Sequence, residues 1–356
     1  MGTNAALEGL GHLPDDERRL LAEVAAWPEH RCWAELTQPV LARLTAERGI
    51  DFATTLLYDR LRRSEQHGPF IRRVDEFITR PPLFAKKMDV LLAVAPGAYY
   101  RELPRAGGDG RLLREQADQF GCRSTVIPTL SMGSVADNGR IISAWLSERR
   151  HEKILLASVS KGAADIKAAL ARPEAEDTFR PVRAWLNVSG LPNGTPIANW
   201  LFGRKLATLF YNAAFWWKGL DIELIRRMAW GRGSELDFPL RLPANVKLVS
   251  VVGFPLLDRL STRALRRYHR RLQPRGPNDG LLLLADPCGL PGLVYPVWGA
   301  DHNLRPRCGL GRLVAALAFG IAELLDLWKI DTDSRDSPCV SLGEDAHGLA
   351  ARTTGA

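Results

Sequence analysis

The pattern of apolar and polar residues changes character along the chain. Up to about Pro82 it is helical: Pro14 followed by two aspartates is a typical helix start, and apolar residues then recur every three or four positions. Two further helices are predicted at Val40–Arg48 and Phe52–Arg63. We therefore predict an N-terminal helical arm over residues 1–85.

From about residue 86 apolar runs typical of buried strands alternate with amphipathic stretches. Such alternation predicts a mostly parallel central sheet covered by helices on both faces, with functional sites at the carboxyl ends of the strands. We place this α/β domain at 86–330 and predict that the polar tail 331–356 is disordered. The predicted strands are Val90–Ala95, Ser124–Leu130, Ile154–Val159, Val182–Val188, Val246–Val252 and Leu293–Val297. The predicted helices between and after them include Arg111–Phe120, Asn138–Arg149 and Leu310–Trp328.

An aromatic insertion at about residues 191–243 interrupts this alternation. Its pattern is helical and includes the run Phe215, Trp216 and Trp217. Packing of these rings against the sheet is favoured over direct contact with a substrate, and the two roles are compatible.

Composition and charge narrow the class of protein. A chain of 356 residues, 46% of them hydrophobic, suffices for one large core. The net charge is +8, but acidic and basic residues are mixed along the chain. The cluster from Arg266 to Arg271 is interpreted as the solvated face of a helix, and no motif indicates nucleic-acid binding.

The cysteine pattern and the N-terminal sequence are used to predict the cellular compartment of the protein. Five cysteines without C-x-x-C spacing predict neither a zinc site nor a full disulfide framework. The N-terminus lacks a secretory pattern, and the apolar run Leu313–Ala322 is shorter than the about 20 residues that span a bilayer. We predict a soluble, cytoplasmic protein without metal, cofactor or transmembrane segment; peripheral membrane contact and oligomeric state are left open.

The segment around Ser160 carries the clearest chemical signal. The apolar strand Ile154–Val159 runs into Ser160 and then directly into an alanine-rich helical pattern, the order of a nucleophile elbow. The spacing is S-x-S-x-G, because Ser158 stands where glycine is commonest. The first amides of the helix would stabilise negative charge at the hydroxyl. Alternatively, Ser160 merely caps the helix.

A nucleophilic serine needs a base and a carboxylate. His302 follows the last predicted strand and is the candidate base. Asp258, Asp279 and Asp286 are candidate acids, although Asn-Asp-Gly around Asp279 is also simply a good turn. Asp301 is discounted because it is adjacent to His302 in sequence.

Four matches across roughly Val90–Trp328 make the chain resemble an α/β-hydrolase of the lipase and esterase type. They are the elbow Ser158–Gly162; Pro96–Ala98, where the family has His-Gly-x; Gly194–Ala198, similar to the segment that leads into lipase lids; and Asn278–Leu281 followed by Asp301–Leu304, similar to the acid and histidine loops.

The resemblance implies roles for particular residues. Ser160 would be the nucleophile, His302 the general base and then acid, and Asp279 the orienting carboxylate, with Asp258 as the alternative acid. The backbone N–H groups of Ala98 and Lys161 would form the oxyanion hole. The Lys161 side chain is either a surface charge or an attraction for an anionic substrate.

The resemblance also implies an activity. A serine hydrolase that cleaves a carboxylic ester or thioester with an apolar acyl group is the first hypothesis, with the insertion as a helical lid and a small hydrophobic ester as substrate. The alternatives are an acyltransferase with the same triad and a non-catalytic protein that binds a hydrophobic ligand on the same fold.

Overall fold

The fold is built around one parallel sheet of six strands in the order β2-β1-β3-β4-β5-β6. In the computed structural model, which describes residues 13–81, 89–305 and 308–325, every strand pair is parallel. The strands are β1 Leu91–Ala95, β2 Arg123–Val126, β3 Ile154–Val159, β4 Val182–Val188, β5 Lys247–Phe254 and β6 Leu293–Trp298. The carboxyl ends of all six therefore point to one edge of the sheet, where a site is expected.

Helices precede, connect and follow the strands. The N-terminal four are α1 Asp15–Ala26, α2 Gln38–Arg48, α3 Ile50–Arg63 and α4 Gly68–Thr79. Between β1 and β5 follow α5 Arg111–Gln119, α6 Val135–Ser147, α7 Gly162–Leu170, α8 Ala175–Thr178, α9 Pro196–Phe202, α10 Lys205–Trp217 and α11 Glu223–Arg227. The last three are α12 Arg263–Leu272, α13 Ala285–Cys288 and α14 Leu310–Leu324.

The fold class predicted from the sequence is confirmed, with shifts at element boundaries. Strand β2 is shorter than predicted and ends at Val126, two residues before Pro128. Helix α6 begins earlier than predicted because the hydroxyl of Ser134 accepts a hydrogen bond from the Asp137 N–H. The boundary at residues 85 and 86, the tail 331–356 and the predicted helix end at Trp328 lie outside the described residues.

The N-terminal helices share the hydrophobic core of the sheet. Tyr58 of α3 is 1% exposed and packs its ring against Trp298 of β6, with ring centroids 4.7 Å apart, and against Phe254 of β5. Arg62 of α3 forms a buried ion pair with Asp75 of α4. The described part of the N-terminal arm is thus a layer of the same core.

The insertion between β4 and β5 contains α9, α10 and α11. Rings on one side of α10 are strongly exposed: Phe210 is 69% exposed, and Trp216 and Trp217 are each 81% exposed. The prediction that the aromatic residues pack against the sheet is therefore wrong for these three. Among the helices described, none is both long and apolar enough to cross a bilayer.

Candidate active site

Ser160 lies at a tight turn between β3 and α7. Its φ of 50° is in the left-handed region, which is rare for a residue with a side chain and is typical of strained functional turns. The turn needs glycine at position 162, because a Cβ there would lie 2.2 Å from the carbonyl oxygen of Ala95 in β1. Because Ser160 directly follows β3, it lies at the carboxyl edge of the sheet.

Ser158, the departure from the G-x-S-x-G pattern, is fully buried in β3. Its hydroxyl accepts a hydrogen bond of 2.8 Å from the Trp185 indole N–H and donates one of 3.0 Å to the side-chain oxygen of Asn187. The Asn187 amide in turn donates to the hydroxyl of Ser250. The serine at this position therefore belongs to a buried polar network across β3, β4 and β5.

His302 connects Ser160 to a buried carboxylate. Its Nε2 is 3.3 Å from the Ser160 Oγ, and its Nδ1 is 2.8 Å from Oδ2 of Asp279. The His302 side chain is 9% exposed and that of Asp279 is 0% exposed. The structure thus brings together the serine, histidine and aspartate that the sequence singled out.

The loop that carries Asp279 fixes the carboxylate. Its Oδ1 accepts hydrogen bonds of 2.9 Å from the backbone N–H groups of Leu281 and Leu282, which leaves Oδ2 for the His302 ring. The His302 backbone N–H also donates to the Asp279 carbonyl oxygen at 3.0 Å. The Asn-Asp-Gly sequence is therefore both a turn and the support of the histidine.

The other candidate acids lie elsewhere. Asp258 is an exposed residue of a 3₁₀ turn after β5. Asp286 accepts a hydrogen bond from the Trp230 indole, and burial raises the pKa of its carboxyl to about 6. Asp301 accepts hydrogen bonds from the backbone of Ser261 and Asn303.

The turn Pro96–Ala98 lies beside Ser160. A Cβ on Gly97 would be 3.6 Å from the Ser160 Cβ, so this turn and the elbow are in direct contact. The N–H groups of Ala98 and Lys161 have no hydrogen-bond acceptor within the described ranges. Two backbone donors near the hydroxyl are therefore available to a bound group.

The Lys161 side chain is buried, so both sequence interpretations of it are wrong. Its Nζ lies 2.6 Å from Oδ1 and 2.8 Å from Oδ2 of Asp165, and the side chains are 4% and 1% exposed. Burial raises the pKa of the Asp165 carboxyl to about 6, against the effect of Lys161. This charge cannot attract a substrate because it is already paired inside the protein.

Asn138 extends this ion pair toward the turn that carries Ala98. Its amide donates to Asp165 at 2.9 Å and to the carbonyl of Leu130, and its oxygen accepts from the Leu130 N–H. One residue later, the carbonyl of Ser131 accepts from the N–H of Tyr99. A series of polar contacts thus connects the backbone segments that carry the two N–H donors. Nothing in the sequence pattern of Asn138 indicates this contact, because it is made across elements.

No protein-family model matches this sequence, and no match was found among curated proteins. Solved structures resemble it. The metagenomic carboxyl esterase MGS0156 is 22% identical with a TM-score of 0.50, over 69% of this chain and 80% of that chain. The mature form of the lipase BlEst2 of Bacillus licheniformis is 19% identical with a TM-score of 0.50, over 69% of this chain and 95% of that chain. The chain has the α/β-hydrolase fold, similar to that of lipases and esterases.

Proposed function

We propose that the protein is a serine hydrolase that cleaves a carboxylic ester or thioester with an apolar acyl group. The observation that carries this proposal is the continuous contact from Ser160 through His302 to Asp279, with distances of 3.3 Å and 2.8 Å. The likeness to a carboxyl esterase and a lipase agrees with it.

The proposed reaction begins with proton transfer from Ser160 to His302. A carboxylate only accepts hydrogen bonds, so Asp279 holds the proton of His302 on Nδ1 and leaves the Nε2 lone pair facing the Ser160 hydroxyl. Ser160 Oγ attacks the carbonyl carbon while Nε2 takes its proton. The resulting imidazolium is stabilised by the buried carboxylate.

The negative oxygen of the tetrahedral intermediate would accept hydrogen bonds from the N–H groups of Ala98 and Lys161. When this intermediate collapses, the bond from carbon to the leaving oxygen or sulfur breaks, and His302 gives its proton to the leaving group. Water then attacks the carbonyl carbon of the acyl-serine as His302 removes a proton from it. When this second tetrahedral intermediate collapses, the bond from carbon to the Ser160 Oγ breaks, His302 returns the proton to Oγ, and the carboxylic acid is released. Each oxyanion donor typically contributes about 100- to 1,000-fold to the rate.

The preference for an apolar acyl group rests on the surroundings of the Ala98 turn. Tyr99 is buried with Leu220 and Leu224 of the insertion, and its ring contacts Phe215 of α10 with centroids 5.9 Å apart. The Tyr99 hydroxyl donates to the carbonyl of Asp221 at 2.6 Å. We infer that the insertion at 191–243 is a lid attached to this side of the site.

Hydrolysis of p-nitrophenyl esters and of matching acyl thioesters tests the proposal. Ser160→Ala should lose essentially all activity. Asp279→Asn should lower kcat about 1,000- to 10,000-fold, because Oδ1 still accepts from the loop but the His302 tautomer is no longer fixed. Asp258→Asn is the matched control and should stay within about twofold of wild type. Retained activity in Ser160→Ala, or a larger loss in Asp258→Asn than in Asp279→Asn, would contradict the assignment.

A further inference from the structure

Helix α12 concentrates positive charge on its exposed side. No aspartate or glutamate occurs between Leu260 and Asn278. Five exposed arginines of this helix, which we call the arginine ridge, form no salt bridge with a carboxylate within the described ranges. They line a surface cleft of about 410 Å³. The ridge consists of Arg263, Arg266, Arg267, Arg270 and Arg271.

Helix α10 exposes an apolar stripe to solvent. Leu209 and Phe210 are 65% and 69% exposed, and Trp216 and Trp217, seven residues further along, are each 81% exposed. Residues seven apart lie on the same side of a helix, so the four side chains form one surface. Contiguous apolar surface of this kind marks an interaction site.

The arginine ridge and the apolar stripe lie on neighbouring helices. The Tyr211 side chain, next to Phe210 on α10, interacts with the Tyr268 hydroxyl, next to Arg267 on α12. Trp200 of α9 lies below the ridge, with the guanidinium carbons of Arg267 and Arg271 at 5.6 Å and 5.1 Å from its ring centroid. Helices α9, α10 and α12 therefore lie next to one another, and their exposed sides together carry the arginine ridge and the apolar stripe.

We propose that this surface docks the protein on a membrane that contains anionic lipids. Guanidinium groups bind phosphate oxygens in a bidentate manner, and tryptophan side chains favour the boundary between headgroups and acyl chains. A bilayer with anionic lipids thus offers phosphate groups to the arginine ridge and an apolar phase to the apolar stripe. Nucleic acid would match the arginines but offers no apolar phase for Leu209 and Phe210.

The orientation of α10 relates this surface to the site. Phe215, on the other side of α10, packs on Tyr99 beside Ala98. Docking would therefore place the apolar cover of the site at the bilayer. Membrane binding itself requires no chemistry at Ser160, so it stands or fails independently of the proposed hydrolase activity.

Cosedimentation with vesicles tests the proposal, with Ser160→Ala as the background so that lipids stay intact. The probes are vesicles of phosphatidylcholine alone and of equal parts phosphatidylcholine and phosphatidylglycerol. We expect binding to the anionic vesicles only, weakening as salt screens the charges. Each basic residue near an anionic surface contributes about fivefold in affinity, so Arg266→Gln with Arg270→Gln should weaken binding about 25-fold.

The matched control is Arg123→Gln with Arg183→Gln, which removes the same charge from exposed positions at the amino ends of β2 and β4. This control variant should bind within about twofold of the wild type if binding depends on the position of the arginines and not on the net charge. Trp216→Ala with Trp217→Ala should also weaken binding. Equal binding to both vesicle types, equal effects of the two arginine pairs, or binding of single-stranded RNA without binding of anionic vesicles would each overturn the proposal.

Discussion

Among single residues, Ser158 stands where the G-x-S-x-G pattern has a conformationally free glycine. Its hydroxyl instead joins a buried hydrogen-bond network. It serves Trp185 and Asn187 simultaneously, and all three side chains are inaccessible to water. Removing a shared partner leaves two buried polar groups unsatisfied, each at about 1–3 kcal/mol. Ser158→Ala should therefore lower the free energy of unfolding by about 2–6 kcal/mol, measured by urea denaturation.

Ser143 provides the control for this substitution. Its hydroxyl is equally inaccessible but has no hydrogen-bond partner within the described ranges. Ser143→Ala should therefore leave stability within about 1 kcal/mol of wild type or raise it. Equal losses for the two serines would mean that the Ser158 network does not stabilise the sheet.

His269 of α12 predicts a pH dependence of stability. Burial lowers the pKa of its ring to about 4, and neither ring nitrogen has a partner among the described residues. The unfolded chain binds a proton on this residue near pH 6.5, whereas the folded chain does so only near pH 4. This contribution is thus fully present above pH 6.5 and is lost as the pH falls to about 4.

His269→Leu should remove this dependence. Between pH 6.5 and 4 the wild type should lose about 3 kcal/mol more stability than the variant, measured by urea denaturation across that range. Asp279 and Asp301 face His269, and Arg270 is adjacent to it. Ester hydrolysis by the wild type and by His269→Leu should therefore be compared at pH 8, to check that the substitution leaves the site around Asp279 intact. Parallel stability curves for the two proteins would show that His269 does not titrate as proposed.

At the scale of elements, the elbow between β3 and α7 could be predicted because its signal is local. A strand pattern, a serine, a glycine two residues later and an alanine-rich helix are all contiguous in sequence. Lys161 and Asp165 are four residues apart, so their pairing is local. The burial of this pair and its contact with Asn138 could not be predicted, because α6 packs against α7 only in the folded chain. The sequence identifies Lys161 only as a charged residue, whereas its burial together with Asp165 depends on tertiary packing.

The Lys161 and Asp165 pair should stabilise the elbow. Lys161→Met would leave a carboxylate buried without its counter-charge, which typically costs about 3–5 kcal/mol. We expect kcat to fall as well, since the pair and Asn138 connect the two proposed oxyanion donors. Thermal denaturation together with ester hydrolysis measures both effects.

A second substitution separates the charge from the packing. In Lys161→Met with Asp165→Asn no charge remains, and the new amide oxygen still accepts from Asn138, so most of the stability should return. If the double variant is as unstable as the single one, the loss comes from packing and the ion pair has no role.

At the scale of the whole molecule, the N-terminal helices show what a sequence pattern leaves undetermined. Periodicity predicted helices in this part of the chain, but it did not indicate the surface that they pack against. The structure shows that β5 and β6 cover α3 through Phe254 and Trp298. The same applies to the exposed rings of α10, whose composition alone suggested burial.

The shared core predicts that this N-terminal layer does not unfold separately. Tyr58→Ala should lower the free energy of unfolding by about 3–5 kcal/mol and keep a single transition, monitored by far- and near-ultraviolet circular dichroism. Phe210→Ala, at an exposed ring, should change it by less than about 0.5 kcal/mol. An early separate transition in Tyr58→Ala would mean that the layer is an independent unit.

Covalent labelling shows directly whether Ser160 is an activated nucleophile. The protein is treated with a fluorophosphonate and the adduct is mapped by peptide mass spectrometry. We expect one adduct, on Ser160, which disappears in Ser160→Ala and is strongly reduced in His302→Ala. Absence of an adduct on the well-folded wild-type protein, or an adduct on another residue, would contradict it.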